Sequence, residues 1–214
     1  MTYSDLFCNA LAYAAEAHKE QRRKRTSIPY ISHLLGVTAI VLDAGGDETE
    51  AIAAVLHDVV EDQPLQEGGG KGRLADVRAR FGDHVAKIVE SLSDWVSSDI
   101  NKKKENSSYA DRKITYHNHL RLEADKSVLI VSAADKLHNV RAMETDFNRI
   151  GDELWDRFNG SREQILWNFE QLIAIYRTAV LDDRRAPIVE ELATTVERLK
   201  SKPAPSTPTV SALR

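Results

Sequence analysis

Apolar residues recur every three or four positions through almost the whole 214-residue chain. That spacing puts them on one face of an α-helix, so it predicts a series of amphipathic helices packed through their apolar faces. Gly, Pro and capping residues interrupt the pattern and mark where helices end. No segment has a convincing strand pattern, and we therefore expect an all-α bundle of roughly eight to ten helices.

Capping signals locate several helix starts. Ser4 is a candidate N-cap of the first helix. Asp47 with Glu50, and Ser161 with Gln164, fit capping boxes in which each side chain reaches the backbone of the other residue. The first three expected helices run from about 4 to 22, 30 to 44 and 47 to 62, and two shorter helices then meet at Phe81-Gly82. Further helices are expected from about 109 to 123 and from 125 onward. A long helix through Tyr176 and a last helix that ends near Lys200 complete the prediction.

Length and composition limit the classes of protein. The length suits one domain, expected over residues 1–200, followed by a disordered Pro- and Ser-rich tail over 201–214 and by no second domain. The formal charge of −4 argues against a nucleic-acid partner. No apolar run approaches the ~20 residues that span a bilayer, so no membrane partner is expected. The single cysteine, Cys8, is expected in the core, and its isolation suits a cytoplasmic protein.

The densest group of ionisable residues is the segment HDVVED, at the end of an apolar helix. On a continuous helix His57 and Glu61 share one face, and Asp58 and Asp62 share the next. Three carboxylates this close repel one another, and a divalent cation would relieve the repulsion. A solvated helix end explains this segment alone about as well as a metal site does.

Two more ligand-type residues lie in apolar helices, His33 in YISHLLGV and Asp135 in LIVSAADKLHNV. A buried histidine is commonly just hydrogen-bonded, whereas a buried carboxylate without a partner is costly. These residues therefore favour a metal site over a solvated helix end. His138 is expected to point past the metal. The other histidines are expected at the surface or at helix ends: His18, His84, His117 and His119.

Three segments in order, HKEQRRK…PYISHLLGV, AAVLHDVVED and AADKLHNVR, resemble the HD superfamily of metal-dependent phosphohydrolases, whose signature is H…HD…D. Their context is most similar to the hydrolase domain of RelA/SpoT-type enzymes and to the stand-alone small alarmone hydrolases, over about residues 5 to 180. The resemblance implies an HD-domain helical bundle that removes the 3′-diphosphate of (p)ppGpp. It also implies Mn²⁺, while other divalent metals suit the same mixed imidazole and carboxylate ligands.

The resemblance also implies a role for individual residues. The metal ligands would be His33, His57, Asp58 and Asp135. The catalytic carboxylates would be Glu61 and Asp62, which can orient a metal-activated water and handle its proton. The substrate-binding residues would be Arg23, Lys24, Arg112, Lys113 and Asn139.

Two segments depart from the long hydrolases and leave the substrate open. The EGGGKG segment at 67–72 and the Lys-rich segment at 97–108 are expected to be loops that border the substrate. The expected partner is a small-molecule nucleotide, with (p)ppApp or NADPH as alternatives to (p)ppGpp. A non-catalytic nucleotide-binding protein is a further alternative, which the Glu61–Asp62 pair argues against because binding alone needs basic groups more than extra carboxylates. The sequence does not indicate an oligomeric state.

Overall fold

The structure is a computed structural model that describes residues 3–62, 69–93, 108–122, 124–178 and 185–203. Within these ranges the ordered backbone is helical, apart from an isolated antiparallel bridge between Arg22 and Pro29, and the all-α prediction is confirmed. The α-helices are α1 (Asp5–Ala17), α2 (Ile31–Asp43), α3 (Glu48–Leu56), α4 (Val59–Asp62), α5 (Gly69–Phe81), α6 (Asp83–Leu92), α7 (Tyr109–Leu122), α8 (Lys126–Ile150), α9 (Arg162–Thr178) and α10 (Ala186–Ser201). A 3₁₀ segment, Gly151–Arg157, joins α8 to α9. In the described part of the chain, no helix has the length and hydropathy needed to cross a bilayer.

The capping signals are confirmed. The Ser4 hydroxyl accepts a backbone N–H of α1 at 3.2 Å. Asp47 and Glu50 exchange side-chain to backbone hydrogen bonds of 2.8 and 3.0 Å at the start of α3. Ser161 and Gln164 do the same at 3.3 and 3.0 Å before α9. These pairs satisfy backbone N–H groups that a helix start leaves without partners.

The long helix α8 lies at the centre of the bundle. It packs against α2, α3, α6, α9 and α10, and every residue from 128 to 135 is buried. Helix α3 is likewise buried from Glu50 through Leu56. A helix buried on all sides lies in the interior of a fold rather than on its surface. The contacts of α8 with α2 and α3 bring the HDVVED segment beside the middle of α8.

Several boundaries differ from the predictions. Helix α1 ends at Ala17 instead of Arg22 because the chain turns at His18. The predicted continuous helix up to Asp62 is wrong, since α3 ends at Leu56 and α4 begins after a turn at residues 57–58. The turn separates two short helices that the sequence pattern alone joins.

Predictions for the loops and for Cys8 have mixed outcomes. Helix α5 begins at Gly69, so the loop prediction for 67–72 is wrong from that glycine onward, and residues 67–68 lie outside the described residues. Of the predicted loop at 97–108, the structure describes only Ser108, and of the predicted tail only 201–203. Cys8 is exposed, so its assignment to the core is wrong.

Candidate metal centre and adjoining cleft

Three helices bring two imidazoles and two carboxylates together. His33 is in the first turn of α2, His57 and Asp58 form the turn after α3, and Asp135 is in the middle of α8. The Nε2 atom of His33 is 3.2 Å from Asp135 Oδ1 and 3.6 Å from Asp58 Oδ2. The Nε2 atom of His57 is 2.9 Å from Asp58 Oδ2 and 3.8 Å from Asp135 Oδ1. Both imidazoles therefore aim Nε2 at the same carboxylates.

Three of these residues could hold a metal ion. His33, His57 and Asp58 each offer a ligand atom, and these atoms lie within 4.8 Å of one another. The His57 Nε2 atom is buried and makes no hydrogen bond of normal geometry, despite its short distance to Asp58. A buried nitrogen of this kind is costly unless a ligand takes it up. Imidazole nitrogen with carboxylate oxygen is a donor set that suits divalent first-row metals, so the residues fit a metal site.

The charges of the cluster are strongly coupled. Burial alone would lower the pKa of His57, but the carboxylates of Asp58 and Asp135 outweigh burial and raise that pKa well above its ordinary value. Burial alone would raise the pKa of Asp58, but the His57 and His33 imidazoles hold it far below its usual range. The pKa of Asp135 is also lowered, because Lys136 and the two imidazoles outweigh its burial. The carboxylates therefore stay ionised. Lys136 balances part of their charge, which leaves an imidazolium or a metal ion to balance the rest.

Neighbouring groups hold the cluster in place. The His57 Nδ1–H donates to the carbonyl of Ala54 at 2.8 Å, which leaves Nε2 to face the carboxylates. The Tyr30 hydroxyl donates to Asp58 Oδ2 at 2.6 Å. Asn139 Nδ2 donates to Asp135 Oδ1 at 2.6 Å. Such contacts fix the orientation of metal ligands and are commonly needed for tight metal binding.

The two predicted catalytic carboxylates lie next to this cluster on α4. Glu61 lines a cleft beside it, and Asp62 accepts a hydrogen bond from Gln21 Nε2 at 2.8 Å. Partial desolvation and the nearby Asp58 carboxylate raise the pKa of Asp62. His57 and Glu61 belong to separate elements, so their predicted stacking on one continuous helix is wrong.

The cleft has a volume of about 450 Å³, within the range of small-molecule sites. All five residues predicted to bind substrate line it: Arg23, Lys24, Arg112, Lys113 and Asn139. The cleft also contains residues that the sequence analysis did not select, among them Tyr109, Lys136 and Phe158. A wider groove of about 670 Å³ between α9 and α10 contains none of the predicted site residues.

The remaining histidines divide into two groups. His18 is buried but caps the end of α1, so its predicted place at the surface or at a helix end is confirmed. His117 is buried within α7, which contradicts the same prediction. His18 stacks on Tyr30, and its Nδ1 contacts Gln21 Oε1 at 2.5 Å. It therefore packs against the two residues that hydrogen-bond to Asp58 and Asp62. His84 is exposed and His119 is half-buried.

Sequence reasoning missed several residues around the site. Gln21 lies in the HKEQRRK segment, Tyr30 lies three residues before His33, and Lys136 follows Asp135. Their proximity to the selected residues was the only signal that could have found them. Lys136 donates to Asp135 Oδ2 at 2.5 Å while lining the cleft, so it belongs to both parts of the site.

Fold and site together define a helical protein with a buried histidine–aspartate cluster, suited to a metal ion, beside a cationic cleft. The chain belongs to the HD domain family, whose family model matches residues 10–165. HD-domain hydrolases are metal-dependent, in agreement with the candidate site.

Curated relatives carry alarmone hydrolase names. The chain is 31% identical over 170 residues to a probable guanosine-3′,5′-bis(diphosphate) 3′-pyrophosphohydrolase of Synechocystis, covering 77% of this chain and 21% of that protein. It is 35% identical over 159 residues to the 3′-pyrophosphohydrolase MESH1 of Xenopus tropicalis, covering 70% and 74%. The chain thus spans about a fifth of the Synechocystis protein and most of the Xenopus one.

Known structures share the fold. A metazoan ortholog of SpoT, described as hydrolysing ppGpp, superposes with a TM-score of 0.69 at 23% identity over 94% of this chain and 98% of its own. A Listeria monocytogenes protein superposes with a TM-score of 0.64 at 26% identity over 83% and 99%. These superpositions show that this chain shares its arrangement of helices with both proteins.

Proposed function

We propose that this protein hydrolyses the 3′-diphosphate of a guanosine or adenosine 3′,5′-polyphosphate and releases pyrophosphate. The observation that carries the proposal is the position of the cationic cleft directly beside the histidine–aspartate cluster. Asn139 and Lys136 line the cleft and also bind the Asp135 carboxylate. The names of the Synechocystis and Xenopus relatives support the same reaction.

The charge of the cleft suits a polyphosphate. Among the described residues that line it, one carboxylate, that of Glu61, faces five cationic side chains: Arg23, Lys24, Arg112, Lys113 and Lys136. The whole chain has a formal charge of −4, so this local excess of positive charge is a property of the cleft. Cationic groups around phosphates neutralise both the bound substrate and the charge that develops on the leaving group. Tyr109 and Phe158 add aromatic faces against which a nucleobase can pack.

The proposed metal ligands are His33, His57, Asp58 and Asp135, and the proposed ion is Mn²⁺. A bound divalent cation supplies Lewis-acid chemistry, which activates a water and polarises a phosphoryl oxygen. The protein holds the two imidazoles by their Nδ1 atoms and the two carboxylates by Tyr30 and Asn139. The ligand atoms are therefore oriented before a cation binds.

Glu61 and Asp62 are proposed to handle the proton of the attacking water. The raised pKa of Asp62 suits a carboxyl that takes up and returns a proton during turnover. Water attacks the phosphorus attached to the 3′ oxygen, the bond between that phosphorus and the 3′ oxygen breaks, and the 3′ oxygen receives a proton. No protein nucleophile is needed.

The substrate class is tested by steady-state turnover with Mn²⁺ on ppGpp, pppGpp, ppApp and NADPH, with Asp62→Asn as the matched inactive control. We expect pyrophosphate release and the highest kcat/KM on one of the alarmones. Turnover confined to NADPH would support a different HD phosphohydrolase. Tight nucleotide binding without turnover of any compound would support a binding protein instead.

A further inference from the structure

His138 lies against the metal-distal side of His33. The two Nδ1 atoms are 2.9 Å apart, and the ring centroids are 4.8 Å apart. The expectation that His138 points past the metal stays a prediction; the structure places its ring against that of the proposed ligand His33. One of the two Nδ1 atoms must donate a proton to the other, and the distance alone does not tell which.

Arg23 determines the direction of that hydrogen bond. Its Nη1 atom lies 3.2 Å from the same Nδ1 of His138. A guanidinium can only donate, so His138 Nδ1 carries a lone pair and accepts. His33 Nδ1 must then carry the proton and donate to His138. In a neutral imidazole this leaves the lone pair on His33 Nε2, the atom that faces Asp58 and Asp135.

Gly36 provides the space for His138. It is one turn after His33 on α2, and a Cβ built there would lie 2.3 Å from both Cδ2 and Nε2 of the His138 ring. Side-chain atoms do not approach a Cβ that closely, so any residue with a Cβ at position 36 would displace the ring. The His138 imidazole occupies the volume of the missing side chain.

We infer that His138 is a positioning residue that fixes the tautomer and ring orientation of His33 for metal binding, and that Gly36 is required because it admits the His138 ring. The inference rests on the proposed metal role of His33 and deepens it. It names two residues that touch neither the cation nor the substrate in this scheme. Partners of this kind typically change metal affinity about 10- to 100-fold when they are removed.

The first test compares His138→Leu with His138→Asn by Mn²⁺ titration calorimetry on the whole protein. Leucine fills similar volume but has no acceptor, whereas an asparagine Oδ1 can replace the accepting Nδ1. We expect the Kd for Mn²⁺ to rise about 10- to 100-fold in the leucine variant and to recover most of that loss in the asparagine variant. An unchanged Kd in a folded His138→Leu protein would overturn the inference.

The second test is a double-mutant cycle with Gly36→Ala and His138→Ala. Gly36→Ala alone should weaken Mn²⁺ binding because it pushes the ring away from His33. In the His138→Ala background the ring is absent, so the added methyl should have little further effect on the Kd. If the losses of Mn²⁺ affinity in the two single variants add up in the double variant, Gly36 acts independently of His138, and that result would contradict the inference.

A spectroscopic readout separates positioning from general destabilisation. In ¹⁵N-labelled protein loaded with diamagnetic Zn²⁺, we expect the His33 Nδ1–H proton to be shifted downfield and protected from exchange with water by its hydrogen bond to His138, and to lose both features in His138→Leu. A drop in melting temperature with the Kd and this proton signal unchanged would contradict the inference. The titrations and the NMR measurement use the metal ion without any nucleotide. A failure to hydrolyse alarmones would therefore count against the proposed substrate but would not affect the test of His138 and Gly36.

Discussion

The guanidinium of Arg23 donates to the amide oxygen of Asn139 at 3.0 Å, and Asn139 in turn donates to Asp135 at 2.6 Å. The same guanidinium contacts His138, which adjoins His33. One cleft residue is thus connected to two proposed metal ligands. A substitution of Arg23 should therefore weaken both substrate binding and metal binding.

Arg23→Ala should raise KM about tenfold or more, since hydrogen bonds to charged groups are commonly worth 1.5–3 kcal/mol. It should also weaken Mn²⁺ binding in the absence of substrate. Lys24→Ala is the matched control, because Lys24 also lines the cleft but contacts Asn159, at 3.5 Å. Steady-state kinetics and metal titration on both variants check this. An Arg23→Ala protein with the Mn²⁺ affinity of the unmodified protein would refute the connection.

Asp135→Ala should abolish Mn²⁺ binding and activity together. The Asp135 carboxylate faces both imidazoles of the cluster and stays ionised because its pKa is lowered. Metal content by elemental analysis, with kcat measured on the same sample, checks the prediction. Stoichiometric metal in the variant would remove Asp135 from the ligand set.

Asp62→Asn should keep the metal and lose the rate. Asp62 accepts from Gln21, and it is proposed to move a proton, a contribution typically worth 10²–10⁴-fold in rate. We expect kcat to fall about 10²-fold or more with the metal content unchanged. If the purified variant contains no metal, Asp62 is a metal ligand instead.

Glu144 should make the stability of the fold depend on pH. Hydrogen bonds from Arg198 outweigh partial burial and lower the pKa of Glu144, and they join α8 to α10. With a lowered folded-state pKa, the stabilisation is complete above the unfolded value of about 4.3 and is lost as pH falls through the folded value.

We therefore expect Glu144→Gln to reduce the free energy of unfolding by about 0.5–1 kcal/mol at pH 7 and by less at pH 3. Urea unfolding at both pH values makes the comparison, with Glu153→Gln, at an exposed position of the 3₁₀ segment, as the control. If Glu144→Gln lowers the free energy of unfolding by the same amount at both pH values, the effect comes from packing and not from the charge of Glu144.

The sequence was sufficient for features that local chemistry determines. The cap at Ser4 and the boxes at Asp47 and Ser161 depend on atoms a few residues apart, so their signals are contained in short segments. The apolar period likewise predicted helices throughout the described ranges. The turn at 57–58 was missed because apolar residues continue on both sides of it, and Val59 and Val60 are fully buried.

Features that depend on distant residues could not be predicted. The buried ring of His18 stacks on Tyr30, and the buried ring of His117 is hydrogen-bonded to Asn168, which is 51 positions away in the sequence. The contact of His138 with His33 joins residues 105 positions apart, and the space at Gly36 exists only once α2 meets α8. The resemblance to HD hydrolases identified residues that the structure brings together, but it did not indicate the hydrogen bonds that connect them.

Product analysis by ³¹P NMR in ¹⁸O-labelled water tests the central claim most directly, with ppGpp as substrate and Mn²⁺ present. The reaction proposed above predicts one GDP and one pyrophosphate per turnover, with the isotope in pyrophosphate because water attacks the phosphorus on the 3′ oxygen. Stepwise release of single orthophosphates, or an isotope confined to orthophosphate, would contradict removal of the 3′-diphosphate as one unit.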